Sequence, residues 1–359
     1  MTNNRVDVPV TVAIAVPLEP EHVSKIRAVA ADAKIELNIR YEPELLPPRK
    51  YPSDHIGAPG FARTSEQQRR YWTMLESAHV LYGFPDASAE SLQRLLRLSN
   101  NLRWVHAMAA GAGTAMVAAG ITAQLLSDRV VTTSAGVHAV PLAEWAMAAV
   151  SSSFKRFPEL ASAQKRREWP EILTPHRTLR GSHLVIAGLG ELGSEIARLA
   201  CALGMRVSGT MRTPRPVPGV QRVVTNDLLP TLVDKADAVV ITLPGTSSTT
   251  GLFDRELFGA FRADTTLVNI GRGTVIDEDA LMWALDHGRV AHAYLDVFAV
   301  EPLPADHPLW SHPAVLVSPH AASSNVEETR LIVDRFCANL LKYAAAQPMP
   351  HTVDVDLGY

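Results

Sequence analysis

Cysteine is scarce, long apolar runs are missing, and neither sign of charge dominates. The chain has two cysteines, Cys201 and Cys337, too few for a disulfide framework or a cysteine-based zinc cluster. Each lies in an apolar, helix-like stretch and is read as a small core side chain. No stretch reaches the ~20 uncharged apolar residues of a membrane span. Residues 1–8 are polar, with Asp7 ahead of the first apolar run, so the basic-then-apolar order of a signal peptide is missing. The expected setting is soluble and cytoplasmic. With 34 Lys plus Arg against 37 Asp plus Glu, a formal charge of -3 gives no footprint for nucleic acid or an anionic membrane surface. His307 and His312 stand loosely beside Trp310 without a cysteine or carboxylate pattern, so no metal site is expected.

What is present is length and apolar mass: 359 residues, 47% of them hydrophobic and 20% charged, enough for about two domains. Short β-rich runs alternate with helical ones. Residues 10–16, 34–41, 78–82, 102–108 and 129–133 read as strands, with helices over 20–31 and 87–98. This is a small parallel α/β unit. Residues 43–70, rich in Pro, Gly, Arg and Lys, read as a surface excursion, either a pocket border or a solvated insertion. The stretch 138–160 reads as one helix, apolar nearly all round, which needs cover from another domain or subunit. After a basic link, 164–180, a second α/β series has strands at 183–187, 206–211, 238–243, 265–270, 291–297 and 315–318. The last apolar helix, 326–346, returns to the first domain. The expected partition is 1–134 and 322–359 for one domain, built from both ends, with 135–321 inserted between them.

Gly188-Leu189-Gly190-Glu191-Leu192-Gly193 follows an apolar strand and opens a helix. In that context each glycine has a distinct mechanical role, with a tight turn at Gly188, backbone approach to a pyrophosphate at Gly190, and close packing at Gly193. The helix N-terminus offers amides and partial positive charge to the phosphates. An NAD site normally presents an acid about 20 residues further on, for the adenosine ribose. None occurs between Glu195 and Asp227, and the expected place reads Thr210-Met211-Arg212-Thr213, with Arg215 close behind. A guanidinium pairs with a 2′-phosphate where a carboxylate repels it. NADP(H) is therefore favoured, with NAD(H) left open.

Three later segments each end a predicted strand, at the edge where open α/β sheets place ligands. They carry Asn269-Ile270-Gly271-Arg272-Gly273, Asp296 with Glu301-Pro302, and Ser318-Pro319-His320-Ala321-Ala322. Together they supply a fork-shaped cation, a carboxylate and an imidazole. With these, with Leu243-Pro244 followed by Thr249-Thr250, and with the closing residues 353–359, the chain resembles the D-isomer-specific 2-hydroxyacid dehydrogenases. It is most similar to their glyoxylate/hydroxypyruvate reductase branch, along nearly its whole length. The departures are the 43–70 excursion and the missing acid near Thr210.

The resemblance implies a Rossmann-type doubly wound domain inserted in a smaller flavodoxin-like α/β domain. It also implies reduction of a small 2-oxo acid to the D-2-hydroxy acid. Arg272 becomes the carboxylate and carbonyl clamp, His320 the general acid in reduction and base in oxidation, and Glu301 the carboxylate that holds the His320 tautomer. The residues matching the cofactor site are Gly188, Gly190, Glu191, Leu192, Gly193, Met211, Arg212, Thr213, Leu243, Pro244, Thr249, Ile270, Gly271, Arg272, Asp296 and His320. Asp296 contacts the nicotinamide carboxamide; Ile270 and Gly271 lie against its ring. Backbone amides near Ala110 and Gly111 hold the substrate carboxylate, beside Arg272 and His320. A homodimer through 138–160 is expected. Two other readings share the fold: a formate dehydrogenase, whose pattern has Gln at the place of Glu301, and a nucleotide-sensing corepressor similar to the C-terminal-binding proteins.

Overall fold

The computed structural model describes residues 9–51, 54–169, 171 and 175–358. The polar start at 1–8, Pro52 and Ser53 of the excursion, residues 170 and 172–174 of the basic link, and Tyr359 lie outside the described residues. The chain forms two compact units, Met1–Val137 with Asn325–Tyr359, and His138–Ser324. Among the described residues no helix is long and apolar enough to cross a membrane.

In the first unit five strands, β1 (Val10–Ile14), β2 (Leu37–Arg40), β3 (Val80–Tyr82), β4 (Trp104–Ala107) and β5 (Val130–Thr133), pair in parallel in the order β2-β1-β3-β4-β5. Both faces are covered, which is why these strands read as nearly continuous apolar runs. The two-residue period divides β1 cleanly: Val10, Val12 and Ile14 join one core, Ala13 the other. The first core takes in Val23 and Ile26 of the helix Pro20–Asp32, and Ile332, Val333, Phe336 and Leu340 of the returning helix Glu328–Ala344. Trp104 stacks on Phe336 there with ring centroids 4.9 Å apart.

The 43–70 stretch is less of a loop than expected. A helix, Ser65–Glu76, begins inside it, opened by a reciprocal capping box between Thr64 and Gln67. Leu45, Leu46 and Asp54 within it are buried.

In the second unit seven parallel strands run in the order β12-β11-β10-β9-β6-β7-β8. They are β6 (His183–Ala187), β7 (Arg206–Thr210), β8 (Val220–Val224), β9 (Ala238–Ile241), β10 (Thr265–Asn269), β11 (Val290–Leu295) and β12 (Val315–Val317). The chain runs outward from β6 to β8, then returns to the other side of β6 as β9. The crevice between β6 and β9 is thus a topological switch point, the place where such sheets bind ligands. Strand β8 is not among the strands expected from sequence. It is an edge strand with exposed Gln221 and Arg222 at its centre, so it lacks the apolar alternation that marks a strand.

Two further expectations need correction. The 138–160 stretch is not one helix: Ala139–Phe154 stops, Arg156 turns left-handed at φ 57°, and Phe157–Arg166 starts afresh. Nor does its apolar face wait for another domain or subunit. Ala143, Ala146, Met147, Val150 and Phe154 are covered by Leu184, Ile186, Ile196 and Ala197 of the same unit. Of the two cysteines, Cys337 is buried, whereas Cys201 is half-buried and its thiol donates to the Gly219 carbonyl at 3.2 Å.

Candidate active site

The fingerprint turn leaves the carboxyl end of β6 and enters the helix Glu191–Ala202, with Gly190 at the N-cap. Its glycines divide by environment. Gly188 has φ 107°, and an added Cβ would stand 2.8 Å from the Thr242 hydroxyl. At Gly193 a Cβ would overlap the Gly188 carbonyl oxygen, so helix and turn pack with no room for a side chain. Around Gly190 a Cβ would meet no protein atom within 4 Å. That open face beside a helix N-terminus fits an approaching pyrophosphate.

Two hydroxyls hold the turn in place. Thr210, fully buried at the end of β7, accepts from the Gly188 amide at 3.2 Å, and Thr242, after β9, donates to the Gly188 carbonyl at 2.5 Å. Sequence reasoning missed both roles; a hydroxyl residue closing each neighbouring strand was the available signal. Met211 is half-buried, while Arg212, Thr213 and Arg215 are exposed just beyond β7.

After β9, Leu243 is buried and Pro244 exposed. Thr249 is 4% exposed, its hydroxyl donating to the Pro244 carbonyl at 2.6 Å and accepting from the Thr246 amide at 2.9 Å. Its side chain braces this loop from within. Beside it, β10 ends at buried Asn269, followed by buried Ile270 and then Gly271, where a Cβ would come within 2.6 Å of the Leu243 carbonyl. Asn269 accepts from the Gly271 amide at 3.1 Å and donates to the Arg272 carbonyl at 3.2 Å, so one amide side chain shapes the turn that presents Arg272. The guanidinium donates to the Gly271 carbonyl at 2.7 Å. At Gly273 a Cβ would overlap the Phe298 backbone. Glycine alone lets the Arg272 turn lie against the segment leading to Glu301.

That segment follows β11. Glu301 accepts from the Phe298 amide at 3.0 Å with one oxygen, and its other oxygen is 2.8 Å from His320 Nδ1. Burial favours the neutral acid. The hydrogen bonds from His320 and Phe298 and the charges of His320 and Arg272 outweigh it, and the Glu301 carboxyl titrates below its usual range. Glu301 thus stays ionised against the imidazole, and Arg272 is close enough to act on it. His320 keeps half of its side chain exposed.

The backbone beneath His320 is left-handed, φ 53°, in a residue that carries a Cβ. Asp296, 2% exposed, organises it: one carboxylate oxygen accepts from the Ser318 hydroxyl at 2.5 Å and from the Ala321 and Ala322 amides at 2.8 and 3.0 Å. The His320 amide donates to the Asp296 carbonyl at 2.9 Å. Asp296 therefore clamps the loop that bears the imidazole.

In the first unit, Ala110 and Gly111 follow β4, Ala110 exposed and Gly111 capping the short helix Ala112–Ala118. Just before them His106 is fully buried, its ring nitrogens 2.9 Å from the Thr132 hydroxyl and 3.3 Å from that of Ser134, and burial pulls its pKa down to about 3. It is a neutral structural histidine. His307 pairs with Glu278 at 3.3 Å and His312 faces Asp286 at 3.8 Å. Among the described residues no cluster of His, Cys, Asp or Glu is arranged to hold a metal ion.

Residues 147–322 match the family described as D-isomer specific 2-hydroxyacid dehydrogenase, NAD binding domain. The chain is 35% identical over 216 residues to glyoxylate/hydroxypyruvate reductase A of Serratia proteamaculans, spanning 60% of this chain and 68% of the relative. It is 33% identical over 222 residues to D-3-phosphoglycerate dehydrogenase of Bacillus subtilis, spanning 61% of this chain and 41% of that one. Among solved structures it is similar to a D-isomer specific 2-hydroxyacid dehydrogenase of Xanthobacter autotrophicus Py2 in complex with NADPH and MES. The TM-score is 0.76 at 27% identity, over 98% of this chain and 100% of the other.

Proposed function

The chain belongs to the D-isomer specific 2-hydroxyacid dehydrogenase family, and from that premise we propose that it reduces small 2-oxo acids of the glyoxylate and hydroxypyruvate kind to D-2-hydroxy acids, with NADPH preferred to NADH. The observation that carries the reading is the His320–Glu301 pair at 2.8 Å with the Arg272 charge acting on the same carboxylate. It joins a proton carrier, its orienting group and an anion clamp.

The bound nicotinamide supplies the hydride. Arg272 holds the substrate carboxylate and stabilises charge growing on the carbonyl oxygen, a role its planar fork suits. His320, protonated, donates to the carbonyl oxygen from Nε2 while Nδ1 stays bonded to Glu301. In the oxidative direction the same nitrogen removes the proton. Hydride loss from formate to give carbon dioxide moves no proton, so it would give the ionised Glu301 and His320 pair no acid–base role.

The NADPH preference rests on absent acid and present base: no carboxylate lies between Glu195 and Asp227, and Arg212 and Arg215 are exposed beyond β7. The Xanthobacter relative binds NADPH, which agrees. Val140, Phe157, Leu160 and Trp169 are exposed apolar side chains on the second unit, and the same reading has two copies of the chain meet through 138–160.

Initial rates of NADPH and NADH oxidation with glyoxylate, hydroxypyruvate and pyruvate test the proposal. NADPH with glyoxylate or hydroxypyruvate gives the highest kcat/KM, and Arg212→Ala narrows the cofactor preference by about tenfold or more. Absence of oxidation with every acid overturns the reading.

A further inference from the structure

One turn of the second unit carries two carboxylate–imidazole pairs, and the reaction above uses only one of them. After β11 the chain passes through Phe298 and Ala299, whose consecutive amides are each taken by a glutamate. Phe298 donates to Glu301 at 3.0 Å, and Ala299 donates to Glu278 at 2.9 Å. The second oxygen of each carboxylate then faces a histidine. For Glu301 it is His320 Nδ1 at 2.8 Å; for Glu278 it is His307 Nε2 at 3.3 Å.

Glu278 is free to reach this turn because a neighbour does the ordinary work of a helix start. The helix Glu278–Asp286 has Asp277 at its N-cap, where the side chain accepts from the Ala280 amide at 3.0 Å. Asp277 and Asp279 are exposed, whereas Glu278 between them is half-buried. Its negative charge suits the first helical turn, and its oxygen serves another segment.

His307 is placed to hold that carboxylate. Its Nδ1 accepts from the Leu309 amide at 3.3 Å, so the neutral ring carries its hydrogen on Nε2, the nitrogen that faces Glu278. Both ring nitrogens are thus engaged. The His307 side chain is 21% exposed against 50% for His320, and Leu309 is fully buried in the same core as Phe298. The imidazole is therefore tied to backbone that the core fixes. Between Phe298 and Glu301, by contrast, Ala299 and Val300 are exposed, so packing restrains that stretch weakly and the bond to Glu278 does more of the holding.

We propose that Glu278, steadied by His307, is a positioning residue: by holding Ala299 it fixes the turn from which Glu301 orients His320. Glu278 acts only through Glu301. The proposal rests on the dehydrogenase reading for the reaction that the His320–Glu301 pair serves.

Steady-state kinetics of the full chain with NADPH and glyoxylate test it. Glu278→Ala lowers kcat by about tenfold and changes KM for glyoxylate and for NADPH by less than about twofold, because the proton carrier is misaligned while the binding groups stay. Glu278→Gln keeps an oxygen for the Ala299 amide and recovers most of kcat. In a Glu301→Gln background Glu278→Ala costs less than about twofold, since the group it acts through is already changed. A lower Tm with kcat of the folded protein unchanged, or the same loss of kcat in both backgrounds, overturns the proposal.

NMR of the chain labelled with 15N-histidine reads the His320 ring without turnover, its signals assigned by their loss in His320→Ala. In the neutral ring of the parent the hydrogen sits on Nδ1, against Glu301. In Glu278→Ala both nitrogens move toward the averaged shift of mixed tautomers, and Glu278→Gln restores the parent pattern. An Nδ1 signal unmoved in Glu278→Ala overturns the proposal. Failure of the dehydrogenase reading looks different: the parent oxidises no NADPH with any 2-oxo acid, while the ring signals still report on Glu278.

Discussion

His320 Nδ1 and Glu301 Oε2 stand 2.8 Å apart, and the same carboxylate takes the Phe298 amide on its other oxygen. The imidazole is thereby oriented by a group that is itself fixed to the backbone. His320→Ala lowers kcat by ~10² to 10⁴, the usual worth of a positioned acid. Glu301→Gln keeps the size and loses the charge; kcat falls about 10² or more while KM for glyoxylate moves little. Single-turnover rates with NADPH check both, and equal kcat in the parent and His320→Ala rejects the acid–base assignment.

The fingerprint glycines separate folding from binding. Gly193→Ala forces a methyl group onto the Gly188 carbonyl and lowers Tm sharply. Gly190→Ala meets no protein atom, so its Tm stays within a degree or two of the parent in the absence of cofactor, while NADPH affinity drops about tenfold or more. Thermal melts beside a fluorescence titration distinguish the two, and undiminished NADPH affinity in Gly190→Ala places the pyrophosphate elsewhere.

Asp296 acts on His320 through the backbone. Asp296→Ala leaves the Ser318 hydroxyl and the Ala321 and Ala322 amides without their acceptor. Stability falls by about 3 kcal/mol, and kcat falls with it. Asp296→Asn retains an accepting oxygen and recovers most of the stability. Urea unfolding of both variants, alongside kcat, reads the difference; equal losses in the two point to the charge instead of the clamp.

Stability on the acid side should follow His106. Burial holds its pKa at about 3 against an ordinary 6.5, so between those values the unfolded chain binds a proton that the folded chain refuses. Stability is therefore complete above pH ~6.5 and declines as pH falls toward ~3, by up to a few kcal/mol from this group. Burial lowers His22, His183 and His292 as well, and they act in the same direction. His106→Gln is less stable at neutral pH, yet loses less between pH ~7 and ~4.5 in urea titrations. An unchanged slope assigns the acid sensitivity to the other histidines.

Strands buried on both faces were legible in the sequence. His183–Ala187 is apolar after its first residue, and the structure begins and ends β6 at those positions. Where burial is one-sided the signal fades, as in β8, whose Gln221 and Arg222 face solvent at the sheet edge. The break at Arg156 was hidden because Lys155 and Arg156 suit a helix interior, and tertiary packing overrides that preference. Site residues with a motif around them, such as Arg272 and His320, could be named in advance. The clamp by Asp296 and the turn built on Asp54 could not, because their partners are mostly backbone amides, which leave no trace in residue identity.

The overlap that any side chain at residue 273 would make with Phe298 ties two stretches of main chain into a single rigid piece. Arg272 heads one and Glu301 anchors to the other. Neither can be shifted to suit a bulkier acid without dragging its counterpart along. Variants selected for a new substrate should consequently leave this junction alone and accumulate their changes in loops that carry no chemistry.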